Sequence, residues 1–521
     1  MIKAITVLFV LFAALSGPTA HAAWPGKGGD LMTIFEELDL KGAQAETVKK
    51  LAAYVDGNPS AEYIDEALLR LGRIYSDKKE LQRAADAYHM LLANFPQSRF
   101  RNDAAYELAL IDYRTGRIDE ARAAFEAISR DKGASLQMRA RSARFLKEVE
   151  KAAYGLKPQA DLPAIGVLLP LKGDYASFGE DALSGVLMAA GVFGDSQGTG
   201  GAEVDVIVKD ITDASSVWSA VAELASNKRV VGAIGPLMSS TAAEAARHAQ
   251  TQKLPLITLS QKDGITDAGD YVFRNFLTSE DQARALADYA AGPMAARRFA
   301  ILHPQSAYGV DLARHFEAAV KAKGGVVVRK ASYPQGTMDF SETIKRLFGV
   351  QVNERMEGRR KIREFNPTIK VDALFIPDSH EPVALIAPYL DYYNVKGVRL
   401  MGPNVWNSPR LVDLAGKNVE GAVFVDGFFA AGESAEGFSR SYGSVFGHAP
   451  GTLSAQAFDA ARMLLNAASV DADRDGVKER LRSTKEFRGA TGDISFNSKR
   501  EARKKLFILT VEGGRIVEAG N

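Results

Sequence analysis

The sequence predicts an all-α unit followed by a larger, doubly wound α/β unit. Helical periodicity rich in Ala, Leu, Arg and Glu runs from about Asp30 to Lys157, and beyond Pro163 short apolar runs alternate with amphipathic stretches for about 260 residues. Size agrees: 521 residues, 46% of them hydrophobic, exceed the ~100 to 200 residues of one domain. With 25% charged and 9% aromatic residues, the composition is that of ordinary globular protein. Lys+Arg number 65 against 64 Asp+Glu, so no net field attracts nucleic acid or anionic lipid. Zero cysteines exclude disulfides, thiolate nucleophiles, Fe–S clusters, Cys-ligated zinc and a lipid-modified N-terminal Cys.

The N-terminus reads as an export signal. Lys3 supplies the positive start, Ala4 to Leu15 are apolar apart from Thr6, Ser16-Gly17-Pro18 breaks the run, and Ala20-His21-Ala22 is an A-x-A cleavage site, so residues 1–22 are expected to be removed after Ala22. Twelve residues are too few for a hydrocarbon core that needs about 20. A secreted, periplasmic protein without a membrane anchor is expected.

Residues 30–157 form the helical unit, with turns at Asp56-Gly57-Asn58-Pro59, Asn94-Phe95-Pro96 and Thr115-Gly116-Arg117. Within it, Leu68, Leu71, Gly72, Tyr75, Ala84, Tyr88, Leu91 and Pro96 place small residues where two helices cross and aromatics between them. A second copy lies 37 residues on, with Ala105, Leu108, Ala109, Ala121, Phe125 and Ile128. The pattern resembles the tetratricopeptide repeat, which implies stacked helix pairs and a concave face for a partner protein. The second copy departs from it, with Asp112 at an aromatic position and Tyr113 one place late.

A linker, Tyr154 to Pro163, carries a glycine and two prolines. Strands are then expected at Ala164–Pro170, Val204–Lys209, Val230–Ile234 and Leu254–Leu259, alternating with helices at Asp181–Val192, Ser215–Ser226 and Thr241–Thr251. The rhythm resumes with strands Phe299–His303, Val326–Arg329, Ala373–Ile376, Arg399–Met401 and Ala422–Val425 and helices Asp311–Lys323, Phe340–Leu347 and Val383–Tyr392. Largely apolar strands between helices predict parallel sheets covered on both faces, in two similar lobes. The mixed-charge stretch Gln351 to Lys370, with Arg355, Arg359, Arg360, Lys361 and Arg363 among Glu354, Glu357 and Glu364, is expected as a solvated helix, or as an Arg-rich patch touching another envelope protein.

The segments Ile165-Gly166-Val167-Leu168-Leu169-Pro170, Val231-Gly232-Ala233-Ile234-Gly235-Pro236-Leu237-Met238-Ser239-Ser240-Thr241 and Pro255-Leu256-Ile257-Thr258-Leu259-Ser260, with Tyr308-Gly309, Met401-Gly402-Pro403 and Val419-Glu420-Gly421, resemble type 1 periplasmic binding proteins of the leucine/isoleucine/valine-binding kind. The resemblance covers residues 163–521. It implies Rossmann-like lobes, the first about 163–280 and 427–490, the second about 281–426 and 491–521, closing by hinge motion on a small molecule between them.

Candidate ligand contacts follow at strand ends. Ser239, Ser240 and Thr241 open a helix whose free N–H groups suit a carboxylate, or else merely cap it. Thr258 and Ser260 end the next strand, and the resemblance adds Tyr308 and Phe178 as cleft aromatics. Two departures bear on the ligand. Amino-acid-binding members carry an acid after Met-Gly-Pro to hold the ammonium; Asn404 stands there. The family aromatic after Ala373–Ile376 is replaced by Pro377-Asp378-Ser379-His380-Glu381, so a branched-chain amino acid is unexpected unless Asp378 serves as the anchor.

No HExxH, G-x-S-x-G, GxGxxG or P-loop is present, and the S-x-x-K matches at Ser76 and Ser129 lack companion motifs, so no catalysis, metal or cofactor is expected. Helical repeats ahead of such a unit are similar to penicillin-binding protein activators, which implies contact with a peptidoglycan synthase. The alternative is a transporter's substrate-binding receptor with an altered ligand.

Overall fold

The computed structural model describes residues 29–153, 162–193, 204–357, 360–468 and 473–520; the expected signal, its cleavage point and linker residues 154–161 lie outside the described residues. The chain divides into two units between Leu156 and Lys157, each with its own core.

The first unit is helical: α1 Gly29–Lys41, α2 Ala45–Gly57, α3 Ile64–Asp77, α4 Leu81–Asn94, α5 Arg101–Arg114, α6 Ile118–Arg130 and α7 Leu136–Ala153. In α3 the residues Ile64, Ala67, Leu68, Leu71 and Tyr75 recur every three or four positions and are buried, which makes one apolar stripe. The small residue at the α3/α4 crossing is indispensable, since a Cβ on Gly72 would stand 2.4 Å from the Tyr88 ring. Asp112, the odd residue of the second copy, is buried and accepts from the Arg117 guanidinium at 2.6 Å, tying the end of α5 to the start of α6. Tyr106, nearly two turns earlier on α5, packs edge-on against Phe125 with ring centroids 5.5 Å apart.

The second unit starts with a five-stranded parallel sheet. In chain order come β1 Ala164–Leu169, α8 Ala176–Ala189, β2 Asp205–Asp210, α9 Val217–Ser226, β3 Val230–Ile234, α10 Ser239–Thr251, β4 Leu256–Thr258 and β5 Val272–Arg274, laid side by side as β2-β1-β3-β4-β5. Every residue of β1 is buried, as an apolar run between two helical layers must be.

The chain then enters a second sheet through α11 Ser279–Ala291, β6 Arg298–Pro304, α12 Ala307–Ala322, β7 Val326–Tyr333, α13 Ser341–Phe348, β8 Val350–Glu357, β9 Arg360–Pro367, β10 Ala373–Phe375, α14 His380–Tyr392, β11 Arg399–Gly402, α15 Pro409–Ala415 and β12 Val423–Asp426. It returns to the first lobe with α16 Glu436–Phe446, α17 Thr452–Ala467 and α18 Arg474–Arg482. After the small strands β13 Phe487–Gly489, β14 Gly492–Phe496 and β15 Ala502–Arg503 it finishes in the second lobe as β16 Phe507–Glu512 and β17 Arg515–Glu518. That sheet runs β17-β16-β12-β11-β10-β6-β7. Its last pair corrects the expectation of purely parallel sheets, because β16 joins β12 antiparallel and β17 folds back on β16 at Gly513-Gly514.

The expected helix at 351–370 is a second correction. Val350–Glu357 and Arg360–Pro367 form a two-stranded antiparallel ribbon, β8 against β9, separate from the main sheet. The mixed charges pair across strands, Arg363 with Glu354 at 3.0 Å and Arg355 with Glu364 at 3.1 Å. Phe365 anchors the ribbon by packing edge-on to Tyr393 at 5.0 Å between centroids.

Candidate ligand-binding cleft

In a parallel sheet every strand delivers its following loop to the same edge, so each lobe gathers its polar loop residues at the carboxyl ends of its strands. These edges belong to joined lobes. The loop after β4 meets α12 of the second lobe, where ligating atoms of Asp263, Asp311 and His315 lie within 4.8 Å of one another. These could offer a metal three donors, but Asp311 already faces Arg314 at 2.6 Å and Asp263 faces Arg274 at 3.3 Å.

The first-lobe wall is built on Gly235. Its φ of +99° and the 2.1 Å that would separate a Cβ from the Leu168 carbonyl oxygen admit only glycine. Pro236 follows, and its carbonyl accepts from the Thr258 hydroxyl at 3.2 Å and the Leu259 N–H at 3.1 Å, which ties the β3 and β4 loops together. The wall then opens into α10. Met238, not a hydroxyl residue, stands at the N-cap and no side chain caps the helix, so the N–H groups of Ser239 and Ser240 face outward with their exposed hydroxyls. Thr241 is buried and its hydroxyl donates to the Met238 carbonyl at 3.2 Å. Thr258 and Ser260 are fully buried, the latter accepting from the Lys262 N–H at 3.3 Å. These three therefore shape the wall, while Ser239 and Ser240 present it. Phe178 is 55% exposed at the rim, beside Tyr175 at 6.4 Å between rings.

On the second-lobe wall the structure brings together Tyr308 and Asn404, 96 residues apart in sequence: the Tyr308 hydroxyl donates to Asn404 Oδ1 at 3.3 Å. Gln282 of α11, absent from the sequence reading, is the third member, accepting the Asn404 backbone N–H at 3.0 Å. Burial pushes the Tyr308 phenol well above its ordinary range. Asp378 stands on the neighbouring loop with both oxygens engaged, Oδ2 by the Tyr333 hydroxyl at 2.6 Å and Oδ1 by the Ser379 N–H at 2.7 Å.

Behind the walls, where the lobes are joined, lies a buried polar network that sequence reading also missed. The Asp426 carboxylate accepts from Asn407 at 2.8 Å, the Thr452 hydroxyl at 2.7 Å and the Gly427 N–H at 2.6 Å. Asp459 accepts from the Thr491 hydroxyl at 2.6 Å and from the Ala490 and Thr491 N–H groups. Lys504 keeps part of its stem in solvent but encloses its ammonium, which donates to Thr491 Oγ1 at 3.1 Å and Asn275 Oδ1 at 3.2 Å. Burial raises the Asp426 carboxyl to about 6 and lowers the Lys504 ammonium to about 8, the latter against the pull of Asp459, Asp426 and Asp281. A signal was available: Asp459 stands alone in Ala457-Phe458-Asp459-Ala460-Ala461, and an isolated acid within an apolar helix run needs a buried partner.

Comparison with known proteins agrees with this geometry. The profile described as "Periplasmic binding protein" matches residues 164–515, and one for the tetratricopeptide repeat matches 66–98. Leu/Ile/Val-binding protein homolog 7 of Brucella melitensis is 26% identical over 200 residues, covering 36% of this chain and 50% of its own length. Homolog 8 of Brucella abortus is 27% identical over 192 residues, covering 35% and 48%. The chain thus spans about half the length of these curated relatives. Among solved structures, a putative branched-chain amino acid ABC transporter from Rhodospirillum rubrum superposes with a TM-score of 0.60 at 22% identity, covering 69% of this chain and 100% of that one. LivJ from Streptococcus pneumoniae in complex with isoleucine gives 0.54 at 22%, covering 68% and 97%. A Rhodopseudomonas palustris solute binding protein in complex with 3,4-dihydroxybenzoic acid gives 0.54 at 22%, covering 69% and 96%. At these identities the likeness to the solved structures is one of fold.

Proposed function

From a chain that belongs to the periplasmic binding protein family over residues 164–515, we propose a non-catalytic solute receptor of the ABC-transporter type, acting in the periplasm and closing its lobes on a small organic carboxylate. The observation that supports this reading is the first-lobe wall, where Gly235 and Pro236 lead into a start of α10 that no side chain caps, with the exposed residues Ser239 and Ser240 at the strand-end edge. Tyr308, Asn404 and Asp378 supply the opposing polar loops. Among the described residues no helix is long and apolar enough to cross a membrane.

A ligand that binds only the folded protein stabilises it by about 2.7 kcal/mol at a hundredfold excess over Kd. Thermal unfolding across a panel of amino, keto and aromatic acids is therefore expected to yield at least one compound that raises Tm by several degrees, with compaction of the protein in solution scattering. A second reading keeps the helical unit in view, because a tetratricopeptide repeat at 66–98 supplies a surface for a partner protein such as a peptidoglycan synthase. No stabilising solute, together with retention of a peptidoglycan synthase by the full chain, would replace the receptor reading by this adaptor one.

A further inference from the structure

We propose that the second lobe carries a site for a terminal phosphate group, as inorganic phosphate or as a monoester on a lipid headgroup, in the cavity between Lys396, Arg399 and Lys417 on the sheet edge opposite the cleft.

Three turns at the amino ends of β11 and β12 build the cavity. The chain leaves α14 through residues 393–398, enters β11 at Arg399, and after α15 passes through the short turn Gly416–Val419 and Glu420-Gly421 into β12. Together they enclose about 430 Å3. That is room for a small group and not for the surface of a folded partner. Gly397, Gly416 and Gly421 have φ of +72°, +52° and +71°, and at each a Cβ would meet nothing within 4 Å. The left-handed conformation, not crowding, calls for glycine there. These turns also place the cations: Lys396 precedes Gly397, Lys417 follows Gly416, and Arg399 is the exposed first residue of β11.

Charge singles the place out. Elsewhere on this lobe Lys323, Lys330 and Lys345 each meet an acid, Asp288 at 2.5 Å, Glu317 at 3.0 Å and Glu342 at 2.7 Å. Lys396, Arg399 and Lys417 meet none among the described residues, although all three are exposed and line one cavity. The two acids of the lining do not answer them. Glu420 gives both oxygens to the β16–β17 turn, accepting the Gly513 N–H at 2.6 Å and the Gly514 N–H at 3.3 Å, and Asp391 makes no ion pair. Three cations against these two carboxylates leave one positive charge in excess. The backbone N–H groups of Lys396 and Gly397 also have no partner among the described residues. Cations and free N–H groups gathered at a concavity suit an anion rich in acceptors. A phosphate monoester, with three terminal oxygens and about two negative charges, fits that description better than a carboxylate.

Inorganic phosphate is titrated calorimetrically into the full chain against sodium chloride of equal ionic strength, and the chain is sedimented with phosphatidylcholine vesicles with and without phosphatidic acid. Lys396→Gln/Arg399→Gln/Lys417→Gln is expected to weaken binding at least ~10-fold, the scale of three partly exposed charge contacts. Asp391→Asn, which removes the unpaired carboxylate of the lining, should instead tighten it a few-fold, a change of sign that damage to the fold would not produce. Lys321→Gln, which removes an exposed cation of α12, should leave it unchanged. Phosphate binding with these rankings assigns the free anion. Sedimentation only with the phosphatidic acid vesicles, lost in the triple variant, assigns the headgroup. Binding of neither, or equal binding by the wild type and the triple variant, overturns the inference while leaving the solute receptor in place. Should the triple variant fail to fold, Lys417→Gln and Asp391→Asn decide by their opposite signs, and no change in either overturns the site.

Discussion

Asp426 shows how one side chain can make stability depend on pH in the direction opposite to most carboxylates. Its folded value of about 6 lies well above the 3.8 of a free aspartate, because full burial penalises the anion more than Asn407, Thr452 and the Gly427 N–H together favour it. The native state therefore holds this proton more tightly than the unfolded chain does. The resulting stability is complete below about pH 4 and is lost as pH rises through 6, to a total of ~3 kcal/mol. Measured against Asp426→Asn, which does not titrate, the wild type should lose ground across that window in denaturant unfolding. A difference between the two proteins that stays constant from pH 4 to 6.5 would show that the carboxyl is not desolvated as described. The same burial explains why Gln282 and Lys504 escaped the sequence reading: each matters through partners more than a hundred residues away, Asn404 for the one and Asn275 for the other, and no local pattern encodes such a meeting.

At the scale of elements, period and close approach decided what could be read. The apolar strands β1, β3 and β10 and the stripe on α3 were legible because their burial is set by local repetition. The ribbon β8–β9 was not, since Arg and Glu side chains satisfy one another equally well along a helix or across a hairpin, and only the anchoring of Phe365 on Tyr392 and Tyr393 selects the latter. The edge pair β16–β17 was missed for a related reason: its outer strand is half exposed and carries a weaker apolar signal. Helix contact supplies a sharper prediction. A Cβ on Gly185 of α8 would stand 2.0 Å from the Ser454 carbonyl oxygen of α17, so Gly185→Ala must push two helices apart and should cost ~1–3 kcal/mol in unfolding free energy. Gly437 of α16 has nothing within 4 Å of the corresponding position, and Gly437→Ala should instead stabilise by ~0.5–1 kcal/mol. Equal effects at the two sites would mean that α8 and α17 do not pack at the stated distance.

For the two-lobed unit as a whole, what matters is where its lobes are joined, and there the chain concentrates buried charge. Asn275 follows the last strand of the first sheet, Gly427 follows β12, and Lys504 precedes β16, so each of the three connections contributes one residue to a single cluster. A Cβ on Gly427 would be 3.9 Å from Gln456 Nε2, Leu277 Cδ2 and Lys504 Cε alike, which places the three connections against each other. The Lys504 ammonium is the cation that Asp426 and Asp459 share, and burial lowers it from 10.5 to about 8. For a lysine with a depressed folded value the unfolded chain binds more protons between about 8 and 10.5, so this group's share of global stability rises with pH across that window. Locally the sign is the same, because an opening of the joint that hydrates the amine restores its ordinary hold on the proton. Above pH 8 the neutral amine, still bonded to Asn275 and Thr491, is kept in the joint at less cost, so opening is disfavoured without any change in the lobes themselves. Fluorophores placed one on each lobe should report a narrower distribution of interlobe distances as pH passes from 7 to 9.5, with a midpoint near 8. In Lys504→Arg, whose guanidinium keeps its charge over that range, the distribution should stay fixed. A wild-type distribution that does not change, or a change of equal size and midpoint in Lys504→Arg, would remove the shared ammonium from any part in setting how the lobes meet.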